Sequence, residues 1–418
     1  MGLRKGQKEL VEQYRGGYCA VPAIPGGGKT HCLSLWAVEM ISNGLHKPGK
    51  ILIVTYMNSA VNNFKQRIAS ELSKRGIQGG KDYCVSTIHS LCMQIIREKP
   101  DLILANEDFN IIDEVNKTHL VNACIEEWKR VNEERFTQYI DDGGYSTAKL
   151  ANMSDSWRDK LAVVILGAIR EFKSRGIDAY EAIKLCGQLG DDSLLKIASE
   201  VYDKYDKRLK MSGYLDFDDM LYNAKRMLIE DESLLSMYRK TYTFVCEDEA
   251  QDSNLIQNDI LTMIANGNFL RVGDSNQAIC GSFTSSDFRL FKDFCEKEDT
   301  VVYNITESSR NTAEIIDLAN YFVKYVRDSH PVEECRNCLL PQFIETVGGD
   351  DDRKNPVTEE YGIKSRVFSS WEEEVEGVLI QARYHLKKHP DKTMAVLIPT
   401  SWKINYFVEC LEARNMAY

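Results

Sequence analysis

Ala23-Ile-Pro-Gly-Gly-Gly-Lys-Thr30 is the stretch on which the reading of this chain turns. It ends in Gly-Lys-Thr, as a Walker A loop does, with Ala23 where that pattern has its first glycine. Gly26, Gly27 and Gly28 let consecutive backbone N–H groups turn inward around phosphate oxygens, and Ile24 and Pro25 complete the cradle. Lys29 is placed to reach the β- and γ-phosphates, and the Thr30 hydroxyl to meet Mg²⁺. A helix starting at Thr30 points its positive end at the same anion. Tyr18–Val21 reads as the short strand that must precede such a loop. A glycine-rich turn without a ligand is the competing reading; the Lys-Thr pair and the strand–loop–helix context decide for phosphate.

A phosphate loop that works on a nucleotide needs an acid to hold the metal and a base to act on water. Phe244-Val-Cys-Glu-Asp-Glu-Ala-Gln-Asp252 supplies both. An apolar strand delivers Asp248 to the Mg²⁺ shell and places Glu249 next to it, to polarise the attacking water. The carboxylates of Glu247, Asp248, Glu249 and Asp252 would repel one another unless a cation or solvent relieves them.

Outward from these two stretches the pattern alternates. Lys50–Thr55, Phe244–Cys246, Phe269–Val272, Val301–Ile305 and Met394–Ile398 are short apolar runs of the kind found in buried parallel strands. Helical periodicity lies between them, as in Ala60–Lys74 and Thr312–Val326, and predicts an α/β fold on a parallel sheet. Residues 105–210 read as mostly helical with a polar break at Asp141–Ser146, which predicts a helical insertion into the first α/β unit. Residues 346–360 are acidic, contain Gly and Pro, and read as an exposed loop.

The chain has 418 residues, enough for more than one domain. Its formal charge is −11, which argues against a general polyanion binder. The first 100 residues nevertheless hold 14 Lys and Arg against 6 Asp and Glu, compatible with a local polyanion site. Twelve cysteines are too sparse for a disulfide scaffold. The longest apolar run, Leu161–Ile169, falls far short of the ~20 residues of a membrane span. A soluble, cytoplasmic protein with reduced thiols and no membrane partner is expected. Cys335-Arg-Asn-Cys338 is one CxxC pair, and one pair does not complete a four-ligand metal site.

With these elements in order, the chain resembles superfamily 1 helicases of the UvrD/Rep/PcrA type. Thr55-Tyr-Met-Asn-Ser-Ala60 is similar to that family's motif Ia, Ser86-Thr-Ile-His-Ser-Leu91 to motif Ib and Leu215-Asp-Phe-Asp-Asp-Met220 to its DFDDL element. Val272-Gly-Asp-Ser-Asn-Gln-Ala-Ile279 is similar to motif III (VGDDDQSI), and Ser309-Arg310-Asn311 to the end of motif IV (NYRS). The resemblance implies a P-loop NTPase, RecA-like domain with a helical insertion and the beginning of a second RecA-like domain. The boundaries it implies are 1–104 with 205–300, 105–204, and 301–418.

It further implies an ATP- and Mg²⁺-dependent 3′→5′ DNA helicase acting on single-stranded DNA and on duplex with a 3′ tail. By resemblance Gln7 reads adenine, Gln251 orders the γ-phosphate and water, Gln277 senses the γ-phosphate, and Arg310 approaches it when the cleft closes. Tyr56, Asn58 and His89 would contact single-stranded DNA. Asp216, Asp218 and Asp219 are expected to be structural hydrogen-bonding groups rather than metal ligands.

The chain also departs from the family pattern. Ser309 replaces the tyrosine that stacks on adenine. Cys280 stands at another aromatic position, with Phe283 as a displaced base-stacking candidate. Motifs V and VI, with their second arginine, would lie beyond Tyr418, so the chain is expected to be the front part of a longer protein. Two other readings stay open: a nucleotide-gated DNA-binding subunit, and an ATPase component of a phage-defence or recombination complex that needs a nuclease or repair partner.

Overall fold

The computed structural model describes residues 2–102, 110–141, 143–278, 286–358, 362–414 and 416. Chain contacts divide it into two compact units, Met1–Val357 and Thr358–Tyr418. The first is organised by β1 (Tyr18–Pro22), β2 (Lys50–Thr55), β3 (Tyr83–Thr87), β6 (Tyr242–Asp248), β7 (Phe269–Gly273) and β8 (Thr300–Val302). The two-residue strands β4 (Asn110–Ile111) and β5 (Tyr214–Leu215) pair with each other, as do β9 (Glu307–Ser308) and β10 (Glu345–Thr346). The main sheet is parallel throughout, in the order β3-β2-β6-β7-β1-β8.

Residues alternate across this sheet because strand side chains have a period of two. Cys19, Val21, Ile51, Ile53, Phe244, Cys246, Leu270 and Val272 face one helical layer, packing with Leu10, Trp36 and Phe64. Ala20, Leu52, Val54, Val245 and Phe269 face the other, packing with Leu91, Met227 and Ile260. Both faces are covered, which is why the strands read as continuous apolar runs. Arg271 of β7 and Glu247 of β6 are buried charges inside the sheet. Arg271 Nε donates to Glu247 Oε2 at 2.6 Å, and its guanidinium lies over the rings of Phe269 and Phe294.

Residues between β4 and β5 form helices with a core of their own, including Val121, Trp128, Phe136, Ile165, Ile169 and Tyr205. The Leu161–Ile169 run is half buried: Leu161, Ile165 and Ile169 point inward, while Val163 is 71% exposed. Thus the run is one stripe of the long helix Thr147–Ser174. Among the described residues no helix is long and apolar enough to cross a membrane.

An ionic cluster joins this helical part to the helix Phe217–Glu230. Asp216 caps that helix, accepting from the Asp219 backbone N–H at 2.8 Å, and Asp219 accepts in return from the Asp216 N–H at 3.1 Å. Lys173 Nζ lies 2.8 Å from Asp216 and 2.6 Å from Asp219, Lys117 Nζ lies 3.0 Å from Asp218, and Tyr205 donates to Asp216 at 2.8 Å. Burial would raise the Asp216 carboxyl, but Lys173 and Lys117 outweigh it and hold it well below the usual carboxylate range.

In the second unit, the helices Trp371–Lys388 and Ser401–Glu412 share a small core of Val375, Leu379, Phe407 and Leu411. The strand expected at Met394–Ile398 is not formed. That segment finds no neighbouring strand to take up its backbone groups, and Leu397 is 96% exposed. Residues 300–302, at the start of the run expected over Val301–Ile305, join the main sheet beside β1. Of the loop expected over 346–360, Thr346 instead ends β10, because its backbone pairs with Ser308 of β9, residues 347–358 lie outside strands and helices, and 359–360 lie outside the described residues.

Removing one partner from a buried ion cluster leaves an uncompensated charge. Lys173→Met should therefore lower unfolding free energy by ~3–5 kcal/mol in denaturant titration. Lys207→Met, which breaks only the exposed pair with Asp203, should cost under ~0.5 kcal/mol.

Candidate functional site

Parallel register brings the chemistry to one end of the sheet. Pro22 of β1 is level with Gly273 of β7, Asp248 of β6 with Val272, and Thr55 of β2 with Thr87 of β3. Loops leaving the carboxyl ends of parallel strands are where open α/β sheets bind ligands. Residues 23–30 follow β1, Glu249–Asp252 follow β6, and Asp274–Gln277 follow β7. These three strands are neighbours in the order β6-β7-β1, so the phosphate loop and both acidic segments meet. Tyr56, Asn58 and His89 follow β2 and β3, further along the same edge.

The phosphate loop keeps its glycines for steric reasons. Gly28 has φ 81° and caps the helix Lys29–Ser42. Gly26 has φ 76°, and a Cβ there would sit 2.4 Å from Ser308 Oγ and 2.7 Å from Arg310 Cβ. Arg310 therefore already lies against the loop. Ile24 N–H donates to the Ile305 carbonyl at 3.1 Å, and Ala23 N–H to the Gly273 carbonyl at 2.9 Å. Gln7 is buried, but its amide donates to the Gly27 carbonyl at 2.6 Å and accepts from the Arg4 N–H at 3.1 Å. In this arrangement Gln7 braces the loop, and it would have to release Gly27 to reach a base. Ser309 accepts from Arg4 Nη2 at 2.7 Å, with Arg4 Nε also on Asp351 at 2.9 Å.

Lys29 Nζ sits 3.0 Å from Glu249 Oε2. Glu249 has φ 55°, a left-handed conformation uncommon outside glycine and concentrated at functional sites. Gln251 donates to Glu249 at 2.9 Å and accepts from the Asp274 backbone N–H at 2.8 Å. Gln277 donates to Asp274, closing a continuous polar chain from the loop lysine to the end of β7.

The repulsion expected among four carboxylates is handled mainly by the protein. Glu247 turns away to Arg271, and Glu249 pairs with Lys29. Burial, and then the charge of Glu249, push the Asp248 carboxyl up to about 7. The same two causes push Asp252 up to about 6, and burial raises Asp274. Asp274 joins Asp252 in this cluster, although it was assigned no role from the sequence. The signal was available for Asp274, which stands inside the quoted motif III string.

Asp248 Oδ1 is shut away from solvent and has no hydrogen-bond partner among the described residues. Among the described residues no three His, Cys, Asp or Glu side chains converge on a metal position. Mg²⁺ suits this donor set, because it commonly takes one or two protein oxygens and completes its shell with water and substrate phosphates. Asp248 and the Thr30 hydroxyl are the groups that would hold it.

On the outer part of the edge, Tyr56 is 41% exposed and Asn58 opens the helix Asn58–Lys74. His89 meets the Phe217 ring edge-on with centroids 5.8 Å apart. Burial lowers the His89 pKa against the opposing pull of Asp218. Phe283 lies outside the described residues. Cys335 and Cys338 are free thiols, and the turn Glu333–Asn337 contains the first of them.

The family model of the UvrD/REP helicase N-terminal domain matches residues 3–299, well over half of the chain. The chain belongs to the UvrD/Rep helicase family. It is 26% identical over 328 residues to the ATP-dependent DNA helicase Rep of Buchnera aphidicola subsp. Schizaphis graminum, covering 77% of this chain and 44% of the relative. It is also 26% identical over 328 residues to the ATP-dependent DNA helicase PcrA of Bacillus subtilis, covering 77% of this chain and 39% of the relative. The ATP-dependent DNA helicase UvrD1 of Mycobacterium tuberculosis is 27% identical over 331 residues, covering 76% and 39%. The chain thus spans less than half the length of the curated UvrD/Rep relatives it matches.

The raised Asp248 acid has a sign that can be checked. Its folded value of about 7 lies above the ordinary 3.8, so ionising it costs stability as pH rises from about 4 to about 7. Asp248→Asn mimics the protonated acid. It should melt with the parent protein near pH 4 and several degrees above it at pH 8, by calorimetry without nucleotide. The same substitution should abolish any Mg²⁺-dependent gain in melting temperature on adding ATP.

Proposed function

We propose that this chain is the ATP-binding and strand-gripping part of an ATP-dependent DNA helicase or translocase. The observation that carries the reading is the unpartnered, buried Asp248 oxygen beside the Lys29–Glu249–Gln251–Asp274 chain at the phosphate loop. The Rep, PcrA and UvrD1 relatives, which are named ATP-dependent DNA helicases, support it. The 3′→5′ polarity, single-stranded DNA and 3′-tailed duplex as substrates, and a role in repair, replication or recombination rest on the family resemblance. So do the domain boundaries 1–104 with 205–300, 105–204 and 301–418. The separate core of the helical insertion supports treating it as a domain.

Each residue has a task in this mechanism. Incoming phosphates take Lys29 from Glu249, because a β/γ-phosphate pair offers the ammonium more negative charge than one carboxylate. Backbone N–H groups of Gly26 and Gly28 and the amino end of the helix Lys29–Ser42 hold the remaining phosphate oxygens. Asp248 and Thr30 would hold Mg²⁺, which would supply charge neutralisation across the phosphates. Freed from Lys29, Glu249 accepts a proton from the attacking water, which Gln251 orients. Arg310 lies against Gly26 and stabilises charge spreading onto the transferred group. Tyr56, Asn58 and His89 grip the strand, the aromatic faces stacking on any base.

A single-turnover assay with protein in excess separates these roles. Glu249→Gln should keep Mg·ATP affinity within ~3-fold while the chemical step slows at least ~10²-fold, the range for loss of a general base. Tyr56→Ala should leave that step intact and weaken single-stranded DNA binding by ~1–3 kcal/mol. Nucleotide binding with DNA affinity but no hydrolysis in the parent protein would select the nucleotide-gated binding subunit instead. Equal loss of affinity and chemistry in Glu249→Gln would remove Glu249 from the role of base.

A further inference from the structure

The end of the polar chain continues past Gln277. Asn276 N–H donates to Asp274 Oδ1 at 3.0 Å, and its side chain then makes two bonds to one residue 64 positions away. Asn276 Nδ2 donates to the Leu340 carbonyl at 3.1 Å, and Leu340 N–H donates to Asn276 Oδ1 at 2.8 Å. A carboxamide can do this because it donates and accepts at once; a carboxylate only accepts. In the motif string that this stretch resembles, VGDDDQSI, the matching residue is aspartate. The donor half of the clamp is therefore a feature of this chain.

What Leu340 leads to gives the clamp its meaning. Four residues on, Ile344 is held the same way by Asn320 of the helix Ala313–Ser329, with both bonds at 2.8 Å. Next comes β10, which pairs with β9, Thr346 opposite Ser308. Arg310 stands two residues after Ser308, against Gly26 of the phosphate loop. A cavity of about 140 Å³ separates the two sides, lined by Ile24, Pro25, Gln277, Asn320, Gln342 and Ile344. Gln342 Nε2 is shielded from solvent there, without a partner among the described residues. The segment 340–346 thus forms a bridge around a void, clamped by Asn276 at one end and carrying the neighbour strand of Arg310 at the other.

We propose that Asn276 is the positioning residue that couples occupancy of the phosphate site to the placement of Arg310. Nucleotide withdraws Lys29 from Glu249, the Gln251–Asp274 bonds readjust, and the Asn276 clamp moves segment 340–346 with them. This rests on the phosphate loop binding nucleotide, as proposed above. A merely structural brace would affect melting but not the response to nucleotide.

Hydrogen exchange on the full chain distinguishes the two, using a non-hydrolysable ATP analogue with Mg²⁺ and a separate affinity measurement. In the parent protein the analogue should slow exchange at the Leu340 and Ile344 amides and around Arg310 by ~10-fold, within the usual range of coupling between sites. Asn276→Ala should bind the analogue within ~3-fold of the parent yet lose that slowing, and Asn276→Asp, which keeps the acceptor, should retain part of it. Asn276→Ala combined with Asn320→Ala should be non-additive, since both act on one bridge. Undiminished slowing in Asn276→Ala overturns the coupling role. A parent protein with no affinity for the analogue overturns the proposed function itself, and the affinity measurement identifies that case.

Discussion

One ammonium stands at the centre of this structure. Among the described residues, Lys29 is a cation whose charge favours ionisation of Asp248, Asp252 and Asp274, and it is paired with Glu249. Burial and mutual repulsion leave the remaining acids reluctant to ionise. Such an arrangement is stable but poised. A ligand that brings two or three negative charges and a divalent cation satisfies the lysine and the acids together, where neither charge alone would. The left-handed backbone at Glu249 and the Asp248 oxygen without a partner among the described residues are local costs held at this site.

Sheet order turns that local charge problem into a division of labour. Placing β6 between β2 and β7 sets Asp248 and Glu249 between Tyr56 and Asn58, which follow β2, and Asp274, which follows β7. A shift at Glu249 can be felt on both sides without any long-range device. The ionic cluster of Lys117, Lys173, Asp216 and Asp219 fixes the helical insertion to the helix that presents Phe217 to His89. Rigid elements thus support the exposed groups, as precise positioning requires.

Much of this was legible beforehand, for identifiable reasons. The parallel strands announced themselves because both faces of the sheet are buried, so 51–54 and 244–246 are uninterrupted apolar runs and 269–272 is broken only by Arg271. Lys29, Asp248 and Glu249 were legible because a glycine-rich loop and an acidic strand end leave little chemical choice. Met394–Ile398 misled for the converse reason: apolar content predicts a strand only where a neighbour exists to pair with it. The engagement of Gln7 with Gly27, the removal of Glu247 by Arg271 and the Asn276 clamp were invisible in the sequence. Each depends on a partner 20 to 64 residues away whose approach is set by tertiary packing.

The central claim is that the acids at the ends of β6 and β7 form a nucleotide–metal site and are not a solvated strand terminus. The most direct measurement is the affinity of this chain for ATP by isothermal titration, once with Mg²⁺ and once with a chelator. If Asp248 and Thr30 hold the metal against the phosphates, Mg²⁺ should tighten ATP binding by ~10-fold or more, since the ion neutralises charge that Lys29 alone cannot. Affinity that is the same or weaker with Mg²⁺ would contradict the account.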